Sequence, residues 1–269
     1  MKYFVPETSI VRKIWGKADT VLFIFGGAAA EFALNKAVDW LYFTGKLPKE
    51  PIDRLFSTVA YAHRIIFQEE VQALLAIKSI THIHQNVEAA RGATIPDWAY
   101  RDVLYMLIHY SIAAFELLER NLLQEEKEEI LTVFLRVGKE MELTNLPNNY
   151  ADWLVSRNEH LSNDLVYSPL TKDLFNQYKL HLGTFRYKIL LQVQKLLVPK
   201  QVYELMKFSN SIYFKTVLSL YKPVKHLALS KEITFRLLPA KYQEALRAFE
   251  QMPALPVASK KQQIEYKSS

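Results

Sequence analysis

The sequence predicts an all-α fold, a globular bundle of many helices. Apolar residues recur with the three-to-four-residue period of helices rather than the alternation of strands. Half of the 269 residues are hydrophobic and 13% are aromatic, which is enough for one sizeable core. No strong strand pair and no internal repeat interrupt this pattern.

The first predicted helix begins at Ala18 and extends to Tyr42. It contains a run of small residues, 26–30 (Gly-Gly-Ala-Ala-Ala). Small side chains permit the close approach of a neighbouring helix or of a flat ligand. Both interpretations stay open, and the simpler one is close helix packing or a helix start at the glycines.

Turn-forming residues divide the rest of the chain into further predicted helices. A loop is predicted at 44–48 and a turn at 92–96, since both contain Gly and Pro. The predicted helices are 52–67, 68–86 (as one or two helices), 97–121, 125–138, 150–163, 167–182, 185–197, 200–221 and 240–251. Residues 1–252 are predicted to form a single domain. Residues 253–269 lose the apolar pattern and are predicted to form a flexible tail.

Composition excludes several classes of site. The net charge of +6, from 34 basic and 28 acidic residues, is mild and spread along the chain. It fits an anionic ligand, but no basic stripe interleaved with aromatic residues indicates nucleic-acid binding. The chain has no Cys, which excludes structural disulfides, thiolate-bound zinc, iron–sulfur clusters and heme-thiolate chemistry. Any metal ligand must be His, carboxylate, Tyr or Met.

No segment is predicted to span a membrane. The longest apolar stretch, 21–34, is interrupted by Glu31 and is too short for a bilayer. The N-terminus shows a polar, Pro-containing stretch instead of the apolar run of a signal peptide. A cytoplasmic location is the expectation.

Two short segments carry the polar residues of a candidate site. Arg54 and Thr58 are four residues apart and share a helix face, and so do His84 and Glu88. His82 and His84 lie about 200° apart on a helix, so both cannot bind one metal. A cation, a hydroxyl and an imidazole on apolar helices could line the site of an anion-bearing metal cofactor. A lone helical His is also compatible with a surface or hydrogen-bonded core position.

Other catalytic patterns are missing from the sequence. There are no Glu-x-x-His pairs for a di-iron site, no His-Glu-x-x-His motif, no phosphate-binding Gly loop and no Gly-x-Ser-x-Gly elbow. His109 lies in the middle of a predicted helix. It is either a core residue or a group that supports a site from outside the ligand sphere.

The order of several segments resembles the MpaB and rubber-oxygenase (latex-clearing protein) family over about residues 10 to 250. The segments that carry the resemblance are Phe25-Gly26-Gly27-Ala28, Arg54-Leu55-Phe56-Ser57-Thr58, Ile83-His84-Gln85-Asn86-Val87, Asp102-Val103-Leu104 leading to His109, Leu146-Pro147, and Leu237-Leu238-Pro239 before Tyr242 and Ala245-Leu246-Arg247.

The resemblance implies a heme b protein with a cofactor pocket between its central helices. In such a protein His84 is the proximal iron ligand, and Arg54 and Thr58 line the distal side. A lysine that can cap the iron in rubber oxygenases is replaced by Ser57, so the distal site is open, water-bound or closed by another group. His109 completes the predicted cofactor-binding residues. The family's His-Pro in the first helix is replaced near Asn35-Lys36.

Three functions are compatible with these observations. The first is an oxidoreductase, a heme-dependent oxygenase that uses dioxygen on an apolar, unsaturated or isoprenoid-like small molecule. The second is a non-catalytic heme-binding sensor or carrier. The third is a heme-free helical protein that binds a lipid or a partner. Arg54, Thr58 and His84 together favour the first, and Ser57 favours the other two.

Overall fold

The computed structural model describes residues 2–45, 49–209, 216, 219, 221–223, 236 and 238–251. This part of the chain is helical and contains no β-strand, only isolated bridges between Tyr3 and Glu69 and between Asn35 and Leu165. The predicted all-α class is therefore confirmed. The predicted tail, 253–269, lies outside the described residues, as does Leu237 of the segments quoted above.

The helices of the described residues follow the predicted order closely. They are α1 (Ile10–Trp15), α2 (Ala18–Leu34), α3 (Asp39–Phe43), α4 (Pro51–Phe67), α5 (Glu70–Arg91), α6 (Asp97–Leu118), α7 (Gln124–Glu140), α8 (Tyr150–Asn163), α9 (Pro169–Leu197), α10 (Lys200–Leu205) and α11 (Ala240–Gln251).

Helix α2 is central, with α6 and α9 packed along it. The glycine pair in its middle explains how close they come. A Cβ added at Gly27 would lie 2.4 Å from the Tyr110 side chain of α6, and one added at Gly26 would lie 3.2 Å from Val193 of α9. The prediction of close helix packing is confirmed at Gly26 and Gly27. The buried ring of Tyr110 occupies the space that a side chain at Gly27 would need.

Some predicted boundaries were wrong. The first helix ends at Leu34 rather than Tyr42, because Asn35 adopts an extended conformation and its side chain accepts a hydrogen bond from the Ala37 backbone. A short 3₁₀ helix, Lys36–Val38, and α3 follow. Asn is well suited to such a break, since its side chain competes for backbone hydrogen bonds.

Three further differences concern α9, α1 and α10. The predicted helices 167–182 and 185–197 are the two halves of α9, which bends at Gly183, where φ is +74°. Helix α1 was not predicted, because six residues give too little periodicity. The predicted helix 200–221 ends at Leu205, and most of its remainder lies outside the described residues.

No helix in the part of the chain that the structure describes is long and apolar enough to cross a membrane. The expectation drawn from the stretch 21–34 agrees with this finding. Glu31, which interrupts that stretch, is fully buried within the protein.

Candidate functional site

Helix α5 turns one histidine inward and its neighbour outward. His82 is exposed, whereas His84 is partly buried. Their separation of about 200° around the helix axis accounts for the difference. The structure thus selects His84 as the histidine of this segment that faces other helices.

The imidazole of His84 is in its neutral form near pH 7. Burial, reinforced by the positive charge of Arg54, lowers its pKa to about 4, while Glu88 opposes the shift. Its Nδ1 atom is buried and has no hydrogen-bond partner among the described residues. The edge of the Tyr100 ring packs against the imidazole with centroids 5.1 Å apart. A neutral imidazole with an uncommitted nitrogen is the form that binds metals.

Helix α4 brings the Arg54–Thr58 segment into the same region, because α4 and α5 pack against each other. Arg54 lies close enough to His84 to lower its pKa. The Ser57 hydroxyl donates to the Arg54 carbonyl at 2.7 Å, and the Thr58 hydroxyl donates to the same carbonyl at 3.2 Å. Both hydroxyl protons are therefore bound within α4, and both oxygens keep lone pairs for accepting hydrogen bonds.

Glu88 and Tyr100, which lie beside His84, stabilise the turn between α5 and α6. One carboxylate oxygen of Glu88 accepts from the Ile95 backbone N–H at 2.8 Å and from the Tyr100 hydroxyl at 3.2 Å. Since Glu88 is one turn beyond His84, this bond holds the Tyr100 ring against the imidazole. The spacing of His84 and Glu88 predicted their shared face. Tyr100 was not predicted, because only the turn between the helices brings it there.

Arg91 follows at the end of the same helix. Its Nη2 atom lies 2.7 Å from an Asp39 carboxylate oxygen, and its guanidinium lies 4.0 Å from the centre of the Trp40 ring. Its Nη1 atom is buried and has no hydrogen-bond partner in the described part of the chain. Helix α5 thus presents His84, Glu88 and Arg91 on one face.

His109 lies in different surroundings. It is nine residues beyond Tyr100, about 13.5 Å further along α6 at the helical rise. Burial and, to a smaller extent, the positive charge of Arg157 lower the pKa of His109 to about 4. The negative charge of Glu31 and a hydrogen bond to the Leu197 carbonyl oppose this shift. Its Nε2 atom has no partner among the described residues. The assignment of His109 to the cofactor site stays a prediction.

Close to His109 lies a buried ionic cluster formed by Glu31, Asp102, Arg157 and His160. Both terminal nitrogens of the Arg157 guanidinium donate to the Glu31 carboxylate, one of them at 2.5 Å. Tyr110 donates to Glu31 at 2.9 Å. The His160 ring joins two carboxylates, with Nε2 at 3.2 Å from Glu31 and Nδ1 at 2.7 Å from Asp102. Sequence spacing gave no signal for this cluster, because its members come from α2, α6 and α8.

Asp102, His160 and Asp164 form a group of side chains that could hold a metal ion at the edge of the buried ionic cluster. Ligand atoms of Asp102, His160 and Asp164 lie within 4.8 Å of one another, as metal ligands would. Burial alone would lower the pKa of His160, but hydrogen bonds to Asp102 and Glu31 outweigh it and raise the pKa to about 9. Without a metal the ring is therefore protonated at neutral pH, and a metal bound to a ring nitrogen would replace the proton on it.

Comparison with known proteins identifies the family of this chain. A family model described as the catalytic domain of the ER-bound oxygenase mpaB/B' and rubber oxygenase matches residues 13–248. Searches of curated proteins and of solved structures gave no significant match. The match covers most of the chain, including the segments of Arg54 and His84. The resemblance found in the sequence is confirmed: the chain belongs to the mpaB and rubber-oxygenase catalytic-domain family.

Proposed function

We propose that this protein is a heme b-dependent oxygenase acting on an apolar, unsaturated or isoprenoid-like small molecule. The observation that carries the proposal is His84. It is a neutral imidazole with a buried, uncommitted nitrogen, and it lies beside a cationic side chain in a chain of an oxygenase family. Heme b, when bound, supplies the oxygen chemistry.

The residues present fit such a cofactor. His84 would be the iron ligand, since an imidazole with a lowered pKa loses no proton on binding a metal near pH 7. The Tyr100 ring, held by Glu88, would fix the plane of that imidazole. Glu88 also places a negative charge one turn from the ligand.

Arg54, Ser57 and Thr58, on the neighbouring helix α4, would line the pocket. Arg54 keeps its charge at every physiological pH and offers several N–H donors, so it can orient an electron-rich partner. Preorganised donors of this kind stabilise developing charge when water is excluded. Ser57 and Thr58 already donate to the Arg54 carbonyl, so they would hold the helix turn that positions Arg54 and would accept hydrogen bonds in the pocket.

A non-catalytic heme-binding sensor or carrier is the second candidate. Ser57 favours it, because a serine bound to its own helix carbonyl is too short to reach an iron as the family lysine can. In an oxygenase, the same short side chain would leave room for dioxygen in the pocket.

Oxygen uptake distinguishes the two functions. The protein is produced with a heme supply, and uptake is measured with a short polyisoprenoid hydrocarbon. Arg54→Leu should keep heme but reduce substrate-dependent uptake by about 10²–10³-fold, the usual effect of losing one such donor. Arg120→Leu is the control, because Arg120 pairs at the surface with Glu126.

Each result has a distinct meaning. Wild-type protein that carries heme but shows no uptake supports the carrier. Unchanged uptake in Arg54→Leu rules out Arg54 as a catalytic group. Loss of heme or of helical structure in that variant assigns Arg54 a structural role.

A further inference from the structure

One face of α5 carries more than the candidate iron ligand. His84, Glu88 and Arg91 are spaced by four and three residues, which places them in line along one face. His84 and Arg91 are separated by two turns, about 10.5 Å along the helix axis. A flat ligand lying along this face would meet the imidazole at one end and the guanidinium at the other.

The Arg91 guanidinium is only partly used by the protein. Nη2 lies 2.7 Å from Asp39, whose side chain is 44% exposed, so water shares this ion pair. Nη1 is buried and has no acceptor among the described residues. A buried N–H donor on a charged group is unfavourable unless an acceptor reaches it. This nitrogen is therefore suited to a second anionic group that comes from outside the described chain.

The neighbouring carboxylates Glu88 and Asp39 accept no hydrogen bond from Nη1 of Arg91. The Glu88 carboxylate, one turn earlier, accepts from Ile95 and Tyr100. Asp39 contacts the other guanidinium nitrogen. Arginine can bind two carboxylates at once through its separate nitrogens, so binding at Nη1 does not require Asp39 to leave.

The surroundings of Arg91 suit a ligand that is both apolar and anionic. Trp40 stacks on the guanidinium at 4.0 Å, and Phe43 lies 5.5 Å away. Helix α3, which carries both rings, buries none of its residues although four of the five are aromatic or aliphatic. Phe43 is 48% exposed. An apolar surface thus adjoins the uncommitted nitrogen.

We propose that Arg91, supported by Trp40, is the binding site for a carboxylate of the cofactor, namely a heme propionate. This inference rests on the proposed function, since it places the propionate edge of the ligand two turns from His84. Arg91 anchors and orients the ligand, and Asp39 and Trp40 hold the guanidinium in place.

Binding of two ligands tests the proposal without any measure of activity. Heme-free protein is titrated with hemin and with hemin dimethyl ester, whose propionates carry no charge, and the Soret band is followed. Wild type should bind hemin at least about tenfold more tightly than the ester, an effect of the size expected for one charge-assisted hydrogen bond. Arg91→Met should bind hemin as weakly as the ester and should bind the ester as wild type does. Arg120→Met, the matched surface control, should keep the full preference.

The outcomes separate this inference from the proposed function. Wild type that binds neither ligand overturns both. Wild type that binds both ligands equally overturns the propionate site alone, and it does so even where Arg91→Met fails to fold. A preference for hemin that persists in Arg91→Met, or that disappears equally in Arg120→Met, also overturns the assignment to Arg91.

Discussion

Arg157→Leu should destabilise the protein more than any surface substitution. Glu31 is fully buried, and Arg157 supplies its counter-charge through two hydrogen bonds. The Arg157 side chain is itself only 3% exposed. Removing it leaves a buried carboxylate whose remaining partners are the Tyr110 hydroxyl and the His160 ring.

The size of the effect follows from the burial of the pair. Breaking a buried ion pair by removing one partner costs about 3–5 kcal/mol, because the other charge stays unpaired. Burial alone would raise the pKa of Glu31, and Arg157 together with His160 lowers it instead. Without Arg157, Glu31 keeps the protonated His160 ring and the Tyr110 hydroxyl as partners, so the loss should lie at the lower end of that range. Total stabilities are about 5–15 kcal/mol, so the variant should retain only part of its stability.

Urea unfolding followed by far-ultraviolet circular dichroism measures the effect. Arg120→Leu is the matched control, since the Arg120 side chain is 53% exposed, and the loss in this variant should be small. A loss below about 1 kcal/mol for Arg157→Leu would refute the reasoning. It would mean that the cluster contributes no more than a surface ion pair.

Three further predictions concern pH, packing and the distal side. The pKa of His160 is raised from 6.5 to about 9, so the stabilisation by its charged ring is full below about pH 6.5 and is lost as the pH rises through 9. In His160→Gln, the unfolding free energy should fall less steeply over that range than in wild type. An equal slope in the two proteins would contradict the assignment. Gly27→Ala should cost about 1–3 kcal/mol in thermal or urea unfolding because its Cβ would lie 2.4 Å from the Tyr110 ring. Gly26→Ala, where the nearest atom is a Val193 methyl at 3.2 Å, should cost less, and the reverse order would be evidence against tight packing at Gly27. In heme-loaded protein, Ser57→Lys should slow cyanide or imidazole binding, as seen in stopped-flow spectra; unchanged rates would show that the lysine does not reach the iron.

Helix positions could be predicted wherever amphipathic periodicity and turn residues agree. The helix Tyr150–Asn163 was predicted with both ends correct, because Asn149 caps it and Pro147 precedes it. The break at Asn35 was missed, since the apolar pattern continues into Trp40 and Leu41. There the side chain of Asn35, bonded to Ala37 and to Asp102 of another helix, outweighs the periodicity.

The candidate site could be predicted only in part. Helical spacing placed Arg54 with Thr58 and His84 with Glu88, but the approach of α4 to α5 came from the family resemblance. Arg91 carries no signal in the sequence, because its role depends on Asp39 and Trp40, about fifty residues away along the chain.

The spacing of residues along the sequence did not predict the buried ionic cluster either. Glu31 and Arg157 are 126 residues apart, and the sequence presents Glu31 only as an interruption of an apolar run. The burial of Arg157 and His160 arises from tertiary packing. The one signal in the sequence is a charged residue, Glu31, within an apolar run, because such a residue needs a partner if it is buried.

The central claim is that His84 binds the iron of a heme. Absorption spectra of wild type, His84→Ala and His82→Ala, each produced with a heme supply, test it most directly. The account predicts a Soret band and about one heme per chain in wild type and in His82→Ala, because His82 is exposed. It predicts loss of heme in His84→Ala with the helical circular dichroism unchanged. Stoichiometric heme in His84→Ala would contradict the account.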